Sequence, residues 1–112
     1  MSFLFGKKQS TTALAELIED GRAKANDEMK KLKYNNYEGA EPMIPIMVRV
    51  LPPNDAAFEA QMKAGLTKTY LLQPGVRVQV KYDPNHPKEV TLDDDIQAIL
   101  ARNPQLIKKP DV

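Results

Sequence analysis

Few side chains in this sequence are suited to covalent chemistry. The chain has no cysteine and a single histidine, His86, and its serines are confined to Ser2 and Ser10 near the start. Nucleophilic catalysis needs a hydroxyl or thiol held beside a base such as histidine. A folded domain that begins after these serines cannot assemble that pair from one chain, so the sequence predicts that the protein is not an enzyme.

The densest group of carboxylates is Asp93-Asp94-Asp95. Hard cations bind carboxylate oxygens, but the calcium loop of an EF-hand needs acidic residues at alternate positions, a central glycine and a final glutamate. None of these features follows Asp93, and an aspartate run is instead typical of a helix N-terminus, where backbone amides are free. The chain also has no glycine-rich phosphate-binding motif. The sequence therefore predicts neither a metal site nor a cofactor.

Lysines, arginines and tyrosines are the remaining candidates, and they favour binding over catalysis. Proteins that hold single-stranded nucleic acid contact phosphates with basic side chains and stack bases on aromatic rings. Sixteen basic and fifteen acidic residues give a formal net charge of only +1, which is too small for nonspecific attraction to a polyanion. Nucleic-acid binding by a small barrel is therefore the alternative hypothesis. Its candidate contacts are Lys30, Lys31, Lys33, Tyr34 and Arg77.

The first ten residues suggest contact with a protein partner. Phe3, Leu4 and Phe5 form an apolar triplet and are the candidate partner contacts, in a segment otherwise typical of a flexible tail. The principal hypothesis is a non-catalytic protein-interaction or assembly module, self-association included. It would act by strand addition at an open sheet edge or by docking of terminal helices. A cytoplasmic location is expected, because the chain has no run of about 18 apolar residues.

The elements that position these residues are clearest between positions 72 and 92. Pro74-Gly75 suits the centre of a type II turn, because proline fixes φ and glycine accepts a positive φ. Apolar and polar residues then alternate, and Asp83-Pro84-Asn85-His86-Pro87 precedes a short return at 90–92. The pattern predicts a β-hairpin whose first strand has its inner face formed by Val76, Val78, Val80 and Tyr82.

Two further strands and a short helix follow from similar patterns. Residues 42–51 alternate as a strand. Residues 57–64 are interpreted as its partner strand, although a helix that stops at Gly65 fits the same residues. After the aspartates, an apolar stripe predicts a short helix that ends at Asn103-Pro104.

Residues 11–33 are ambiguous. A leucine stripe predicts a helix from Thr11 or Thr12 that ends at Gly21. The next segment, 22–33, has helix-forming composition, yet Ala23 and Ala25 alternate as in a strand. The residues themselves leave both structures open for this segment.

The region 74–92 resembles the closing hairpin of a group of small, uncharacterised bacterial β-domain proteins. The features that carry the resemblance are Pro74-Gly75, the valine-rich strand up to Tyr82, the Asp83-Pro84 and Pro87 positions, and the final strand Val90-Thr91-Leu92. A looser similarity covers the leucine-rich segment 14–21, the small residues 23–25 and the strands within 43–64. The resemblance implies that residues 22–33 form a first long strand, which we adopt as the prediction. It implies a fold but no reaction.

These patterns predict a mainly β (α+β) fold. It is a small twisted antiparallel sheet or partly closed barrel of about five strands, with an N-terminal helix and a short C-terminal helix. At 112 residues the chain is expected to form one domain. The expected organisation is a flexible tail at 1–10, a single β-rich domain at 11–103 and a C-terminal tail at 104–112.

Overall fold

The computed structural model describes residues 10–35 and 41–107, and for residues 32–35 it describes the backbone only. These residues form five strands, three α-helices and one 3-10 turn. The strands are β1 (Thr11–Leu17), β2 (Met43–Leu51), β3 (Phe58–Gly65), β4 (Arg77–Tyr82) and β5 (Glu89–Leu92). The helices are α1 (Gly21–Asn35), α2 (Leu66–Thr69) and α3 (Ile96–Arg102), and the 3-10 turn is Pro104–Leu106.

The five strands form a closed barrel in the order β1-β2-β3-β5-β4, and β4 pairs back onto β1. Neighbouring strands are antiparallel except β3 and β5, which are parallel. The partial order β4-β1-β2-β3 is a Greek key, and β5 completes the barrel between β3 and β4. The prediction of a mainly β fold with five strands is confirmed, but the barrel is closed rather than partly closed, and the parallel pair of β3 and β5 departs from the predicted antiparallel sheet.

Alternation along each strand places one face inside the barrel. Ile44, Ile46, Val48 and Val50 of β2 are at most 5% exposed, as their spacing predicts. Tyr82, expected on the inner face of β4, is half-buried and packs against the core. The other buried core residues on strands are Ala13, Ala15, Leu17, Ala60, Met62, Ala64, Val78, Val80 and Val90.

The prediction of a helix over residues 11–20 is wrong, because these residues contain strand β1. Ala13, Ala15 and Leu17 are buried at alternate positions, whereas Leu14 between them is 37% exposed. The leucines that suggest a helical stripe therefore lie on opposite faces of a strand. Pairing of β1 with both β2 and β4 overrides the local helical pattern.

The prediction of a strand over residues 22–33 is also wrong, because these residues lie within α1. Gly21 begins this helix rather than ending one. The side chain of Asp20 acts as an N-terminal cap, since its Oδ1 accepts hydrogen bonds from the backbone N–H groups of Arg22 at 3.0 Å and Ala23 at 3.3 Å. Local helix propensity therefore describes this segment correctly, and the family resemblance does not.

The two ends of the barrel differ. Strands β1 and β3 run in the same direction, because both are antiparallel to β2. Helices α1, α2 and α3 follow the ends of β1, β3 and β5, so all three begin at one end, which we call the helical end. The opposite end carries loops 52–57 and 83–88, and we call it the open end because none of the described helices lies there. No helix in the described ranges is long and apolar enough to cross a membrane.

The segment after β5 completes the pairing of β4. Strand β5 itself pairs with β4 only at Val80 and Lys81. Beyond this, the backbone N–H of Gln79 donates to Asp94 Oδ2 at 2.9 Å, and its carbonyl accepts from the Asp93 N–H at 2.8 Å. The open sheet edge expected for strand addition is therefore not present at this part of β4.

Candidate binding groove

A groove of about 730 Å³ crosses the outer face of the barrel near the open end. Outward side chains of β3, β5 and β4 form its floor, and loop 83–88 forms one wall. We call it the β5 groove, because β5 is the central strand of the three. The lining residues used below are Lys63, Lys81, Tyr82, Asp83, His86, Lys88, Glu89 and Thr91.

The wall of the β5 groove is a loop held by local hydrogen bonds. The backbone N–H of Asn85 donates to Asp83 Oδ1 at 2.9 Å, and the N–H of His86 donates to the Asp83 carbonyl at 2.8 Å. Pro84 and Pro87 fix their own φ angles. His86 is exposed in this loop and lines the groove. The groove wall is therefore pre-formed in the free protein.

Two lysines from different strands flank one threonine on the groove floor. Thr91 of β5 lies directly opposite Lys63 of β3 in the parallel pair and opposite Lys81 of β4 in the antiparallel pair. All three side chains are exposed. We call these residues the lysine row. Lys81 Nζ also lies 3.9 Å from Asp93 Oδ1, a solvated ion pair whose side chains are 51% and 32% exposed.

An aromatic pair lies beside the groove at the open end. The rings of Phe58 and Tyr82 meet edge to face, with centroids 5.5 Å apart. Both side chains are half-buried and pack against the barrel core. A second cleft of about 440 Å³ lies on the other side of loop 83–88, and both aromatic residues line it. Tyr82 lines the β5 groove as well, as do Pro87 and Lys88, so these three residues connect the two clefts.

Elsewhere on the outer surface, charged residues on neighbouring strands alternate in sign. Three cross-strand pairs form a row over four strands. The pairs are Glu59 of β3 with Arg49 of β2, Arg49 with Glu16 of β1, and Glu16 with Arg77 of β4. Opposite charges at directly opposed positions stabilise strand pairing, whereas like charges destabilise it. Each charge in this four-strand row, which we call the alternating row, therefore has an opposite charge on a neighbouring strand. The lysine row differs, because its two cations flank a neutral hydroxyl.

The sequence-predicted nucleic-acid contacts do not come together with the β5 groove. Arg77 belongs to the alternating row near the helical end, and Lys30 and Lys31 are exposed on α1. None of these three lines the groove. The backbone of Lys33 and Tyr34 lies in α1, but the structure does not describe their side chains. Phe3, Leu4 and Phe5 also lie outside the described residues.

Sequence reasoning did not find the lysine row. Lys81 belongs to the mixture of basic and aromatic residues that suggests nucleic-acid binding, but the alternation of its strand makes it an ordinary outward residue, and the pattern around Lys63 indicates no site. Their shared neighbour Thr91 becomes visible only through the parallel pairing of β3 with β5. The available signal was the outward position of both lysines on alternating strands. The pairing partner of each strand was the missing information.

The side chains that line the groove can recognise a ligand by its charge and its shape. The groove offers ammonium donors from Lys63, Lys81 and Lys88, a hydroxyl from Thr91, and carboxylates from Asp83 and Glu89. Within residues 10–35 and 41–107 there is no group of three or more histidine, cysteine, aspartate or glutamate side chains arranged to hold a metal ion.

Comparisons of this chain with protein-family models, curated proteins and solved structures find no match. The geometry and charge of the described residues are therefore the basis for a functional proposal.

Proposed function

We propose that this protein is a non-catalytic protein-interaction module that holds a partner at the open end of its barrel. The observation that carries the proposal is the junction of two clefts at a half-buried aromatic pair. The β5 groove of about 730 Å³ and the second cleft of about 440 Å³ share Tyr82. Tyrosine and phenylalanine are enriched in protein interfaces, and anchors of this kind bind in or beside pockets.

The rigidity of the surrounding loop supports this function. Binding costs less when the receptor surface is already in its bound conformation, because fewer side chains and loops must be ordered. Pro84, Pro87 and the hydrogen bonds to Asp83 limit the conformations of loop 83–88. A partner would therefore meet a surface that needs little rearrangement.

Barrel closure favours docking onto side chains over strand addition. Each of the five strands pairs with a neighbour on both sides in the closed order. Strand addition needs a row of unpaired backbone groups. A partner of this protein is therefore expected to contact outward side chains and loops.

Nucleic-acid binding remains the second candidate function, and the barrel type favours it. Five-stranded Greek-key barrels include the oligonucleotide-binding fold, which binds ligands on a strand face and with loops. The lysine row and Tyr82 provide basic and aromatic groups near one another. The formal net charge of +1 argues against strong attraction to a polyanion, so we place this function second.

Site-specific photo-crosslinking tests the principal proposal. The chain contains no cysteine, so Thr91→Cys introduces a unique thiol on the exposed groove floor for a benzophenone label. The control is Asn26→Cys, which places the same label on an exposed position of α1. Both labelled proteins are illuminated in extract of the source cells, and each crosslinked product is identified by mass spectrometry.

The expected result is a defined protein crosslinked from position 91 and not from position 26. The identified partner is then purified and its affinity for the unmodified protein is measured by calorimetry. Identical products from both positions, or no measurable affinity of the purified partner, would contradict the proposal. A crosslink to nucleic acid alone would favour the second candidate. A copy of the same chain as the product would identify the interaction as self-association.

A further inference from the structure

We infer that the β5 groove binds an acidic, extended peptide segment and that the lysine row receives its carboxylates. This inference rests on the proposed function, because it names the chemistry of the partner at the same groove. The carboxylate oxygens would accept hydrogen bonds from the ammonium groups of Lys63 and Lys81 and from the hydroxyl of Thr91.

The strand register brings the three donors together. Neighbouring strands lie about 4.8 Å apart, so Lys63 and Lys81 are separated by two such steps, with Thr91 between them. Lysine carries its ammonium group on a flexible four-carbon stem. Both side chains therefore reach an oxyanion placed over Thr91 without any change in the backbone.

The lysine row has few anionic partners within the described part of the protein. Among the described residues, Lys63 has no carboxylate oxygen within 4.0 Å, and Lys81 has only the solvated contact with Asp93. Lys88, on the loop wall, adds a third exposed cation to the same groove. In the alternating row, by contrast, each neighbouring position has the opposite sign.

A peptide fits this charge pattern better than a nucleic acid does. Glu89 lies two residues before Thr91 on the same outer face of β5, so negative charge adjoins the lysine row. Every nucleotide of a nucleic-acid strand carries a phosphate, so a strand laid along β5 would place negative charge near Glu89 as well. In an extended peptide, side chains on one face recur about every 6.8 Å, and each of them can be charged or neutral. A peptide can therefore put a carboxylate on the lysine row and a neutral side chain beside Glu89.

The test uses the full chain, labelled with ¹⁵N, and three probes of six units each. The probes are a capped peptide of alternating glutamate and serine, the same peptide with glutamine in place of glutamate, and hexathymidylate. Amide chemical shifts are followed at low and high salt. We expect the glutamate peptide to shift amides around residues 61–63, 81 and 89–91, the glutamine peptide to bind more weakly, and the response to weaken at high salt.

Two double variants with the same change in charge separate the groove from general electrostatics. Lys63→Gln/Lys81→Gln removes the lysine row, and Lys30→Gln/Lys31→Gln removes two exposed lysines of α1. Exposed ion pairs contribute modestly, so the first variant is expected to bind the glutamate peptide about fivefold to tenfold more weakly. The second is expected to bind as the unmodified protein does. Backbone amide spectra of both variants check that the barrel is retained.

Several results would overturn the inference. They are the absence of a response to the glutamate peptide, equal binding of the glutamine peptide, tighter binding of hexathymidylate in the groove, or equal losses in the two double variants. The crosslinked partner distinguishes this failure from failure of the proposed function. A partner that still binds Lys63→Gln/Lys81→Gln with full affinity would leave the interaction module intact and refute its acidic recognition.

Discussion

The side chain of Asn103 pairs with the backbone of Arg77 as a neighbouring strand would. The Arg77 N–H donates to Asn103 Oδ1 at 2.8 Å, and Asn103 Nδ2 donates to the Arg77 carbonyl at 2.7 Å. The same Nδ2 donates to the Ile99 carbonyl at 2.7 Å. Asn103 is only 2% exposed. One buried amide therefore satisfies the start of β4 and the end of α3 together.

Replacement of this amide by a carboxyl group of the same shape should destabilise the protein. Asn103→Asp removes the Nδ2 donor and places a carboxylate oxygen against the carbonyls of Arg77 and Ile99. The expected loss in free energy of unfolding is about 2 to 4 kcal/mol, because buried acceptors lose their donor. Urea denaturation measures it, and Asn26→Asp on the exposed face of α1 is the matched control. Equal stability of the two variants would show that the Asn103 pairing contributes little.

Gly21 should resist replacement by alanine despite its helical position. A Cβ at this residue would lie 2.4 Å from the Leu72 carbonyl oxygen and 2.6 Å from that of Thr69, both of which belong to the backbone. Helix propensity would predict stabilisation by about 1 kcal/mol from Gly21→Ala. The close approach instead predicts a loss on the order of 2 kcal/mol, since backbone must move.

The comparison for this effect is Gly75→Ala. Gly75 has a φ of 90° and open space around its Cβ position, so alanine there costs only the backbone strain of about 1 kcal/mol. Thermal and urea unfolding of both variants should show the larger loss at Gly21. A stabilised Gly21→Ala protein would refute the close contact between α1 and the segment around Leu72.

Glu41 should contribute to stability in a pH-dependent way. Its Oε1 accepts hydrogen bonds from the Thr67 N–H at 2.7 Å and from the Thr67 hydroxyl. These hydrogen bonds, first the one from the hydroxyl and then the one from the backbone, lower the pKa of Glu41 below its ordinary value. A depressed pKa in the folded state means that the contribution is complete above the ordinary value of 4.5 and disappears as the pH falls through the folded-state pKa.

The Glu41→Gln variant measures this contribution. We expect a lower melting temperature than that of the unmodified protein at pH 7 and a difference that shrinks as the pH falls below the ordinary value of 4.5. The effect should be small, because Glu41 is exposed. Glu89→Gln, on the exposed face of β5, provides a control for the change in net charge. A difference that is independent of pH would contradict the assignment to the Glu41 carboxylate.

Arg102 should stabilise the buried carboxylate of Asp94. Arg102 Nε donates to Asp94 Oδ2 at 2.8 Å, and Asp94 is 5% exposed. The hydrogen bond to Asp94 raises the pKa of Arg102, so the contribution of the Arg102 guanidinium is complete below the ordinary arginine pKa and is lost only as the pH rises through the higher folded-state pKa. Arg102→Met should cost about 1 to 3 kcal/mol of unfolding free energy, because a buried acceptor loses a charged donor.

The control for Arg102→Met is Arg22→Met, which removes an exposed arginine of α1. Surface substitutions of this kind usually change stability by less than about 0.5 kcal/mol. Equal effects of the two variants in urea denaturation would mean that Asp94 is satisfied by the Gln79 N–H without Arg102.

Local patterns were sufficient for the turn before β4 and for the N-terminal cap of α3. The turn at Pro74-Gly75 has the positive φ and the hydrogen bond from the Val76 N–H to the Gln73 carbonyl, at 2.9 Å, that its residues predict. Asp95 caps α3 through the Ala98 N–H at 2.8 Å, as the aspartate run predicts. Each of these structures depends on residues within a few positions of one another, so composition and spacing contain the necessary information.

Residues 11–33 show where local patterns failed. The leucines of β1 fit a helical stripe, and the choice of strand depends on β2 and β4, whose paired residues are more than 30 positions away. Propensity correctly favours a helix for α1, whereas the resemblance to other proteins predicts a strand there, which is wrong. Gly21 was interpreted as a helix stop because glycine often ends helices. Its actual requirement is the space beside the Leu72 carbonyl, which a sequence pattern does not contain.

In the candidate site as well, local spacing predicts some features and long-range strand pairing decides the others. Spacing along the chain predicted that Lys81 points outward and that loop 83–88 is a turn, because both follow from the period of a strand and the φ of proline. Long-range pairing decided that Lys63 and Lys81 flank Thr91 and that Phe58 meets Tyr82. These contacts join residues at least ten positions apart, and their formation depends on closure of the barrel around a common core. Alternation specifies which face of a strand is buried, but packing of that face chooses the neighbouring strand and therefore the site.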